Sequence, residues 1–209
     1  MRVKICGVTS PEHILVSAAA GADYIGLVFA PSRRRVTTAQ AQQLVATLRE
    51  ANYLTPIVGL FVNESPDVVA RTVQDVGIDI LQLHGDEPFE QLAALPIMPI
   101  WRAVRLQGAV TETPWLTHTN AHVTFLVDAY VPDAFGGTGV RADWEAAATF
   151  ASQRDIVLAG GLNPGNVRDA IRTVKPWCVD VSSGVERAGY KDNGLIASFI
   201  DIAKQERYA

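Results

Sequence analysis

The sequence predicts an α/β protein in which eight parallel strands close into a barrel. Short apolar runs, typical of strands buried on both faces, alternate with segments of helical periodicity along all 209 residues. No shift in composition marks a linker, and about 26 residues for each strand with its helix give eight units. We therefore expect a single compact (β/α)8 TIM barrel that forms one domain over residues 1–209.

The strands are expected where apolar runs end at a glycine or a polar residue. They span residues 3–7, 23–29, 56–62, 79–83, 98–104, 123–128, 155–159 and 177–181. The helices are expected where apolar residues recur three and four positions apart. They span residues 11–21, 38–50, 66–76, 88–95, 141–151, 164–174 and 192–206.

Local signals place the ends of these elements. Ser10 and Pro11 start the first helix, and Gly21 closes it. The segment 107–122 is rich in Thr and Pro, so we expect a loop there with a short helix. An open, doubly wound sheet is the alternative architecture. It is disfavoured because no G-x-G-x-x-G follows the first strand and no P-loop is present.

Composition excludes several classes of protein. The net charge of -4 gives no basic footprint for nucleic acid. No apolar run approaches the roughly 20 residues of a membrane span, and no signal pattern opens the chain. Cys6 and Cys178 lie far apart, which favours a reducing compartment. We expect a cytoplasmic protein with no nucleic-acid or membrane partner, and the acidic composition favours a monomer.

Polar side chains end four of the predicted strands. Cys6, His84, Asp128 and Asp180 close strands one, four, six and eight, respectively. The carboxyl ends of barrel strands are where catalytic side chains collect, so these residues should meet at one rim. A lone cysteine in an apolar strand is more often a packing residue. A carboxylate at a strand end either has a structural role, as a cap or in an ion pair, or acts on a substrate. Asp180 could also accept hydrogen bonds from sugar hydroxyls.

Glycine-rich turns follow the last two strands and indicate a phosphate site. The turns after strands seven and eight are the usual phosphate site of a barrel, where backbone N–H groups face the anion. Either turn alone could simply be a tight connection. The candidate residues are Gly160, Gly161, Ser182, Ser183 and Gly184. A phosphorylated small molecule is therefore the expected ligand.

Other polar clusters are weaker evidence for a ligand site. Arg33-Arg34-Arg35 follows strand two, where an arginine could bind a carboxylate in bidentate fashion. The glycine-rich segment 135–139 is suited to closing over a ligand. His118 and His122 are four apart, but they lack a third ligand nearby. Nothing in the sequence indicates a metal or cofactor site.

Taken together, these motifs resemble the phosphoribosylanthranilate isomerase family over the whole chain. The matching segments are Lys4-Ile5-Cys6-Gly7, residues 29–35, Gly59-Leu60-Phe61-Val62-Asn63, Gln82-Leu83-His84-Gly85, Asp128, Gly136-Gly137-Thr138-Gly139, Gly160-Gly161-Leu162-Asn163 and residues 179–186. One departure is visible. The family usually has Ser-Pro-Arg after strand two, and here Arg33-Arg34-Arg35 stands there, with Arg35 in the arginine position.

The resemblance implies an Amadori rearrangement of N-(5-phosphoribosyl)anthranilate to the corresponding 1-deoxyribulose 5-phosphate in tryptophan biosynthesis. It implies that Cys6 is the general base and Asp128 the general acid. Arg35 would then bind the anthranilate carboxylate, with His84 and Asp180 as further substrate contacts. The five glycine and serine residues of the late turns would hold the phosphate.

The ordinary pKa values of the two implied catalytic groups give protonation states opposite to those that the reaction needs. A thiol at roughly 8.5 and a carboxyl at roughly 3.9 give mostly thiol and carboxylate at neutral pH, whereas the reaction needs thiolate and acid. A cation such as Lys4 could lower the pKa of the thiol, but the sequence leaves the direction of Lys4 open. Cys178 lies inside strand eight, so we expect a packing residue.

Two other functions compete with this interpretation. A phosphosugar isomerase of histidine biosynthesis catalyses the same rearrangement. Members of that family are usually longer, with two matching halves, and have an aspartate where Cys6 stands. A non-catalytic barrel that binds a phosphosugar is the other. Its signature would be the loss of the acid or the base, and both residues are present.

Overall fold

The computed structural model describes residues 1–106, 112–117, 122–129 and 142–206. Eight strands, each hydrogen bonded in parallel to the next, form a closed barrel because the eighth also pairs with the first. The strands are β1 Arg2–Cys6, β2 Tyr24–Val28, β3 Ile57–Phe61, β4 Ile80–Leu83, β5 Ile100–Val104, β6 Val123–Val127, β7 Ile156–Leu158 and β8 Cys178–Val181. The predicted barrel is confirmed, and the open sheet is excluded.

Helices of the described residues follow the strands. They are α1 Pro11–Ala19, α2 Thr38–Glu50, α3 Pro66–Val76, α4 Thr113–Thr117, α5 Trp144–Ala151, α6 Val167–Val174 and α7 Asn193–Gln205. Their starts follow from capping chemistry. The Ser10 hydroxyl accepts from the backbone N–H of His13, and Thr37 forms a capping box with Gln40. None of these helices is long and apolar enough to cross a membrane.

The segment predicted as a helix at 88–95 is instead a 3-10 helix, Phe89–Ala94. Prolines stand on both sides of it, at Pro88 and Pro96. A proline disfavours the helical conformation in the residue before it, so Leu95 is extended and only six residues remain between the breaks. 3-10 turns are frequent in short connecting segments of this kind.

A small hairpin after β8 was not predicted. A 3-10 turn, Ser183–Val185, leads into strands β9 Glu186–Arg187 and β10 Tyr190–Lys191, which pair in antiparallel fashion. Ala188 and Gly189 join them with φ of 48° and 87°, as a two-residue hairpin loop with both φ values positive requires. This hairpin stands at the carboxyl-terminal rim of the barrel.

Side chains alternate between two cores. Val3 and Ile5 of β1 face outward and pack in the large core between strands and helices. Lys4 and Cys6 alternate with them and therefore face the barrel interior. The middle and lower interior is filled by a second cluster: Val58, Ile80, Trp101, Ala103, Leu126, Val157, Ala159 and Cys178. Cys178 is fully buried there, which confirms it as a packing residue.

Candidate active site

Cys6, His84 and Asp128 lie at the carboxyl-terminal rim, and Asp180 lies one layer below Cys6, in register with Lys4. Cys6 is the last residue of β1, His84 and Asp128 directly follow β4 and β6, and Asp180 is the third residue of β8. All four side chains are buried, with residue exposures between 4% and 8%. The barrel therefore gathers chemically active groups at one end, as the sequence predicted.

Lys4 links Cys6 to Asp180 inside the barrel. Its ammonium Nζ donates to Asp180 Oδ1 at 3.0 Å and is completely buried. Lys4 and Cys6 lie two residues apart on one strand, so both side chains point to the same side. Gly26 of the neighbouring strand makes room for them, since a Cβ there would lie 2.9 Å from Lys4 Cε and 3.0 Å from Cys6 Sγ. The direction of Lys4, which the sequence left open, is toward Cys6.

The charges of this group follow from burial and contact. Burial lowers the pKa of Lys4, but the Asp180 carboxylate and Cys6 outweigh it, so the pKa is raised and the ammonium is permanent. Burial raises the pKa of the Cys6 thiol above its ordinary value, although Lys4 lowers it in part. The thiol is therefore the major form at neutral pH, and Lys4 is the largest influence that favours the thiolate.

Asp128 belongs to a chain of three side chains. Its Oδ2 lies 3.0 Å from His84 Nε2, and His84 Nδ1 lies 2.8 Å from Gln82 Nε2. Its Oδ1 accepts from the backbone N–H of Ala129 at 2.7 Å. Sequence reasoning missed Gln82. The sequence signal for Gln82 was its spacing of two residues from His84, which directs both side chains to the same side of the extended chain at the end of β4.

The two turns predicted to hold a phosphate pack against each other. Gly184 fits only without a side chain, because a Cβ there would lie 1.8 Å from the Leu162 carbonyl oxygen. Gly160 and Gly161 both have positive φ, of 79° and 64°. Gly160 also lies beside Asp128, so this turn borders the acid. Ser183 is half-buried at the same rim.

The hydroxyl of Ser182 already has protein partners. It donates to the Cys6 carbonyl oxygen at 3.1 Å and accepts from Lys191 Nζ at 3.3 Å. Lys191 Nζ also donates to the Ser182 carbonyl oxygen at 2.8 Å. These bonds tie the β8 turn to the end of β1.

The arginine cluster divides into two parts. Arg33 Nη2 donates to Glu186 Oε2 at 2.6 Å, and Arg34 Nε donates to Glu186 Oε1 at 2.7 Å. Lys191 Nζ binds the same carboxylate at 2.9 Å. Arg35 is exposed and has no ion pair within the described part of the chain. The two extra arginines thus fasten the loop after β2 to the hairpin, whereas the Arg35 guanidinium forms no ion pair with the described residues.

Glu186 is the centre of this rim cluster, which sequence reasoning missed. Burial raises the pKa of its carboxyl, but hydrogen bonds from Arg34 and Lys191 outweigh this and lower it below the ordinary range. A cavity of about 200 Å³ lies beside the cluster and is also lined by Gly7 and His13. His118, Arg141 and the glycine-rich segment 135–139 lie outside the described residues.

A second buried ion pair supports the β4 end. Arg102 Nη1 donates to Glu87 Oε2, and both side chains are almost completely buried. Glu87 also accepts from the backbone N–H groups of Asn63 and Gly85. The pair therefore fixes the loop that follows His84. The described residues contain no cluster of three or more His, Cys, Asp or Glu side chains that could hold a metal ion.

Comparison with known proteins gives consistent matches over nearly the whole length. The family model described as N-(5'phosphoribosyl)anthranilate (PRA) isomerase matches residues 3–202. An N-(5'-phosphoribosyl)anthranilate isomerase from Roseiflexus castenholzii is 47% identical over 208 residues, which cover 98% of both chains. One from Geobacter sulfurreducens is 45% identical over 206 residues, which cover 98% of both chains.

Solved structures show the same similarity. The phosphoribosyl anthranilate isomerase of Thermotoga maritima superposes with a TM-score of 0.85 at 36% identity, covering 99% of this chain and 100% of that one. A phosphoribosyl anthranilate isomerase in complex with reduced 1-(o-carboxyphenylamino)-1-deoxyribulose 5-phosphate superposes with a TM-score of 0.82 at 35% identity and the same coverage.

Proposed function

The chain belongs to the N-(5'-phosphoribosyl)anthranilate isomerase family, and we propose that Cys6 and Asp128 are the base and acid of its reaction. The enzyme converts N-(5'-phosphoribosyl)anthranilate to 1-(2-carboxyphenylamino)-1-deoxyribulose 5-phosphate, an Amadori rearrangement of tryptophan biosynthesis. The observation that supports the two roles is that each group stands at the barrel rim with its own charged or polar partner. Cys6 has Lys4, and Asp128 has His84.

The reaction consists of proton transfers. Asp128 gives a proton to the ribose ring oxygen, the bond from that oxygen to C1 breaks, and the anthranilate nitrogen forms a protonated Schiff base with C1. The Cys6 thiolate then takes the proton from C2, which gives an enolamine. C1 gains a proton as the C2 hydroxyl loses one, so the ketone forms. Asp128 has lost one proton and Cys6 has gained one, and solvent restores both.

Lys4 makes the thiolate available. Its ammonium is permanent and buried beside Cys6, so it stabilises the negative sulfur through a medium of low dielectric. The thiolate is the minor form at neutral pH and reacts from that small population. Lys4 cannot replace Cys6 as the base, because its raised pKa keeps it protonated.

The two anionic ends of the substrate would be held on either side of the sugar. Arg35 suits the anthranilate carboxylate, since its guanidinium is exposed and has no ion pair among the described residues. The turns with Gly160, Gly161, Ser183 and Gly184 suit the phosphate. Ser182 would contribute its backbone N–H, because its hydroxyl is already bound to the protein. Asp180 Oδ2 and His84 border the sugar.

Three further properties complete the proposal. No cofactor takes part, since every step moves only protons. Residues 1–209 form one catalytic domain, supported by the closed barrel.

The protein is a cytoplasmic monomer. The two unpaired cysteines support a cytoplasmic location, and the few exposed large apolar side chains among the described residues support a monomer. One related solved structure is of a Thermotoga maritima enzyme described as dimeric, with monomers generated from it, so analytical ultracentrifugation decides the oligomeric state.

The decay of substrate fluorescence tests the activity and both roles. N-(5'-phosphoribosyl)anthranilate is generated in the cuvette from anthranilate and phosphoribosyl pyrophosphate by a separate transferase. Wild-type protein should accelerate the decay, whereas Cys6→Ala and Asp128→Asn should accelerate it far less. Full turnover by either variant would show that the substituted residue does not have the proposed catalytic role. No turnover by the wild type would refute the activity.

A further inference from the structure

Gln82 is a fully buried polar side chain in the barrel interior to which the mechanism above gives no task. Its amide nitrogen Nε2 lies 2.8 Å from His84 Nδ1, on the side of the imidazole opposite to Asp128. The amide can therefore act on Asp128 only through His84. Any role for Gln82 would be that of a positioning residue.

The amide oxygen of Gln82 has no hydrogen-bond partner among the described residues, although it is completely buried. A buried polar atom of this kind destabilises the protein unless some state of the molecule satisfies it. Rotation of the amide by half a turn exchanges its nitrogen and oxygen within nearly the same volume. The oxygen then faces His84 Nδ1 and can accept a hydrogen bond from it.

The two orientations correspond to two proton contents of the His84–Asp128 pair. With Gln82 Nε2 donating to Nδ1, the single imidazole proton is on Nε2 and is donated to the Asp128 carboxylate. With Gln82 Oε1 accepting, Nδ1 carries a proton, and the hydrogen bond between Nε2 and Oδ2 holds a second one. Only the second arrangement contains the proton that an acid delivers to the ring oxygen.

We propose that Gln82 is a positioning residue whose amide oxygen binds the Nδ1 proton of His84 when the His84–Asp128 pair carries the proton used in ring opening. This inference rests on the proposed role of Asp128 as the acid. The transferred proton leaves the Nε2 to Oδ2 bond for the ring oxygen, and solvent returns one to the same bond.

Charged groups around the pair are already engaged. In the barrel interior, Lys4 of β1 pairs with Asp180 of β8, and Cys6 stands above them on β1. On β5, next to β4, Arg102 pairs with Glu87 instead. Gln82 is therefore the partner that the described residues offer to His84 Nδ1.

Nitrogen NMR of protein with 15N-labelled histidine tests the orientation directly. His84 is assigned from the signal lost in His84→Asn. At high pH the wild type should show the neutral tautomer with its proton on Nε2, and lowering the pH should place a proton on Nδ1. In Gln82→Glu, Nδ1 should be protonated at the high pH too, because a carboxylate can only accept. A wild type with Nδ1 protonated at every pH, or an unchanged tautomer in Gln82→Glu, would overturn the proposal.

Turnover provides the second readout. Gln82→Met removes the acceptor, so we expect kcat to fall about tenfold or more with little change in KM, while Gln82→Glu retains most of the wild-type kcat. Equal losses in both variants would contradict a role in accepting the proton. If Gln82→Met does not fold, the NMR result for Gln82→Glu still decides. If Asp128→Asn keeps full activity, the acid assignment fails, whatever the tautomer of His84.

Discussion

The two cysteines occupy different heights of the same barrel interior, and their surroundings differ accordingly. Cys178 begins β8 and is packed among apolar side chains, whereas Cys6 ends β1 at the rim. Lys4 and Asp180 form a layer between them, since Arg2 is in register with Cys178 and Lys4 with Asp180. Burial raises the pKa of both thiols, most of all for Cys178.

The electrostatic difference between the cysteines comes from one ion pair. For Cys6 the Lys4 ammonium has the larger influence and favours the thiolate, while for Cys178 the Asp180 carboxylate has the larger influence and opposes it. Residue type alone therefore does not decide reactivity. Position along the barrel axis relative to a buried ion pair does.

Removing each thiol should give the largest contrast. We expect Cys6→Ala to lower kcat by about 10³-fold, as loss of a general base does, and Cys178→Ala to leave kcat near the wild-type value. Steady-state fluorescence decay measures both. Loss of turnover in Cys178→Ala with turnover kept in Cys6→Ala would reverse the assignment.

Removing the cation should give the next largest effect. Lys4→Met should lower kcat/KM by about 10- to 100-fold and slow alkylation of Cys6 by iodoacetamide, because the thiolate loses its counter-charge. Lys175→Met, at an exposed position, is the matched control.

Lys4→Met also leaves Asp180 buried without its partner, which can destabilise the fold. The double variant Lys4→Met/Asp180→Asn removes that unpaired charge. It should unfold at a temperature close to that of the wild type, but alkylation of Cys6 should stay slow. Recovery of fast alkylation in the double variant would contradict a role for the ammonium.

The pH dependence should follow the thiolate of Cys6. Because burial holds its pKa above the ordinary value, the protein at neutral pH is mostly thiol, and the thiolate fraction rises with pH. We expect the rate of Cys6 alkylation by iodoacetamide to rise by about tenfold per pH unit between about pH 7 and 9, and the Lys4→Met profile to lie at higher pH. An alkylation rate that stays level over this range would contradict a raised pKa for the Cys6 thiol.

The smallest effect concerns stability. Cys178→Ala leaves a small void in a packed interior, so we expect its free energy of unfolding to fall by about 1–2 kcal/mol. Cys6→Ala should lose less, because the rim can relax around the smaller side chain. Urea unfolding followed by tryptophan fluorescence compares the two. A larger loss in Cys6→Ala would mean that Cys6 is the packing residue.

The sequence predicts what single strands determine and misses what distant segments bring together. The barrel and the rim positions of Cys6, His84 and Asp128 follow from where apolar runs end, whereas Asp180 lies one layer deeper. The rim cluster does not, because Arg33 and Glu186 lie 153 positions apart and meet only when the barrel closes. Burial of an ammonium inside a barrel is costly without a partner, so the direction of Lys4 depends on Asp180 of another strand.

A primary kinetic isotope effect separates the base from the acid most directly. Substrate carrying deuterium at C2 of the ribose is compared with unlabelled substrate in the wild type, in Cys6→Ser and in Asp128→Asn. A weaker base makes removal of the C2 proton rate-limiting, so the effect on kcat should be larger in Cys6→Ser than in the wild type. A missing acid makes ring opening rate-limiting, so Asp128→Asn should show almost none. The opposite pattern, with the large effect in Asp128→Asn, would contradict the assignment of base and acid.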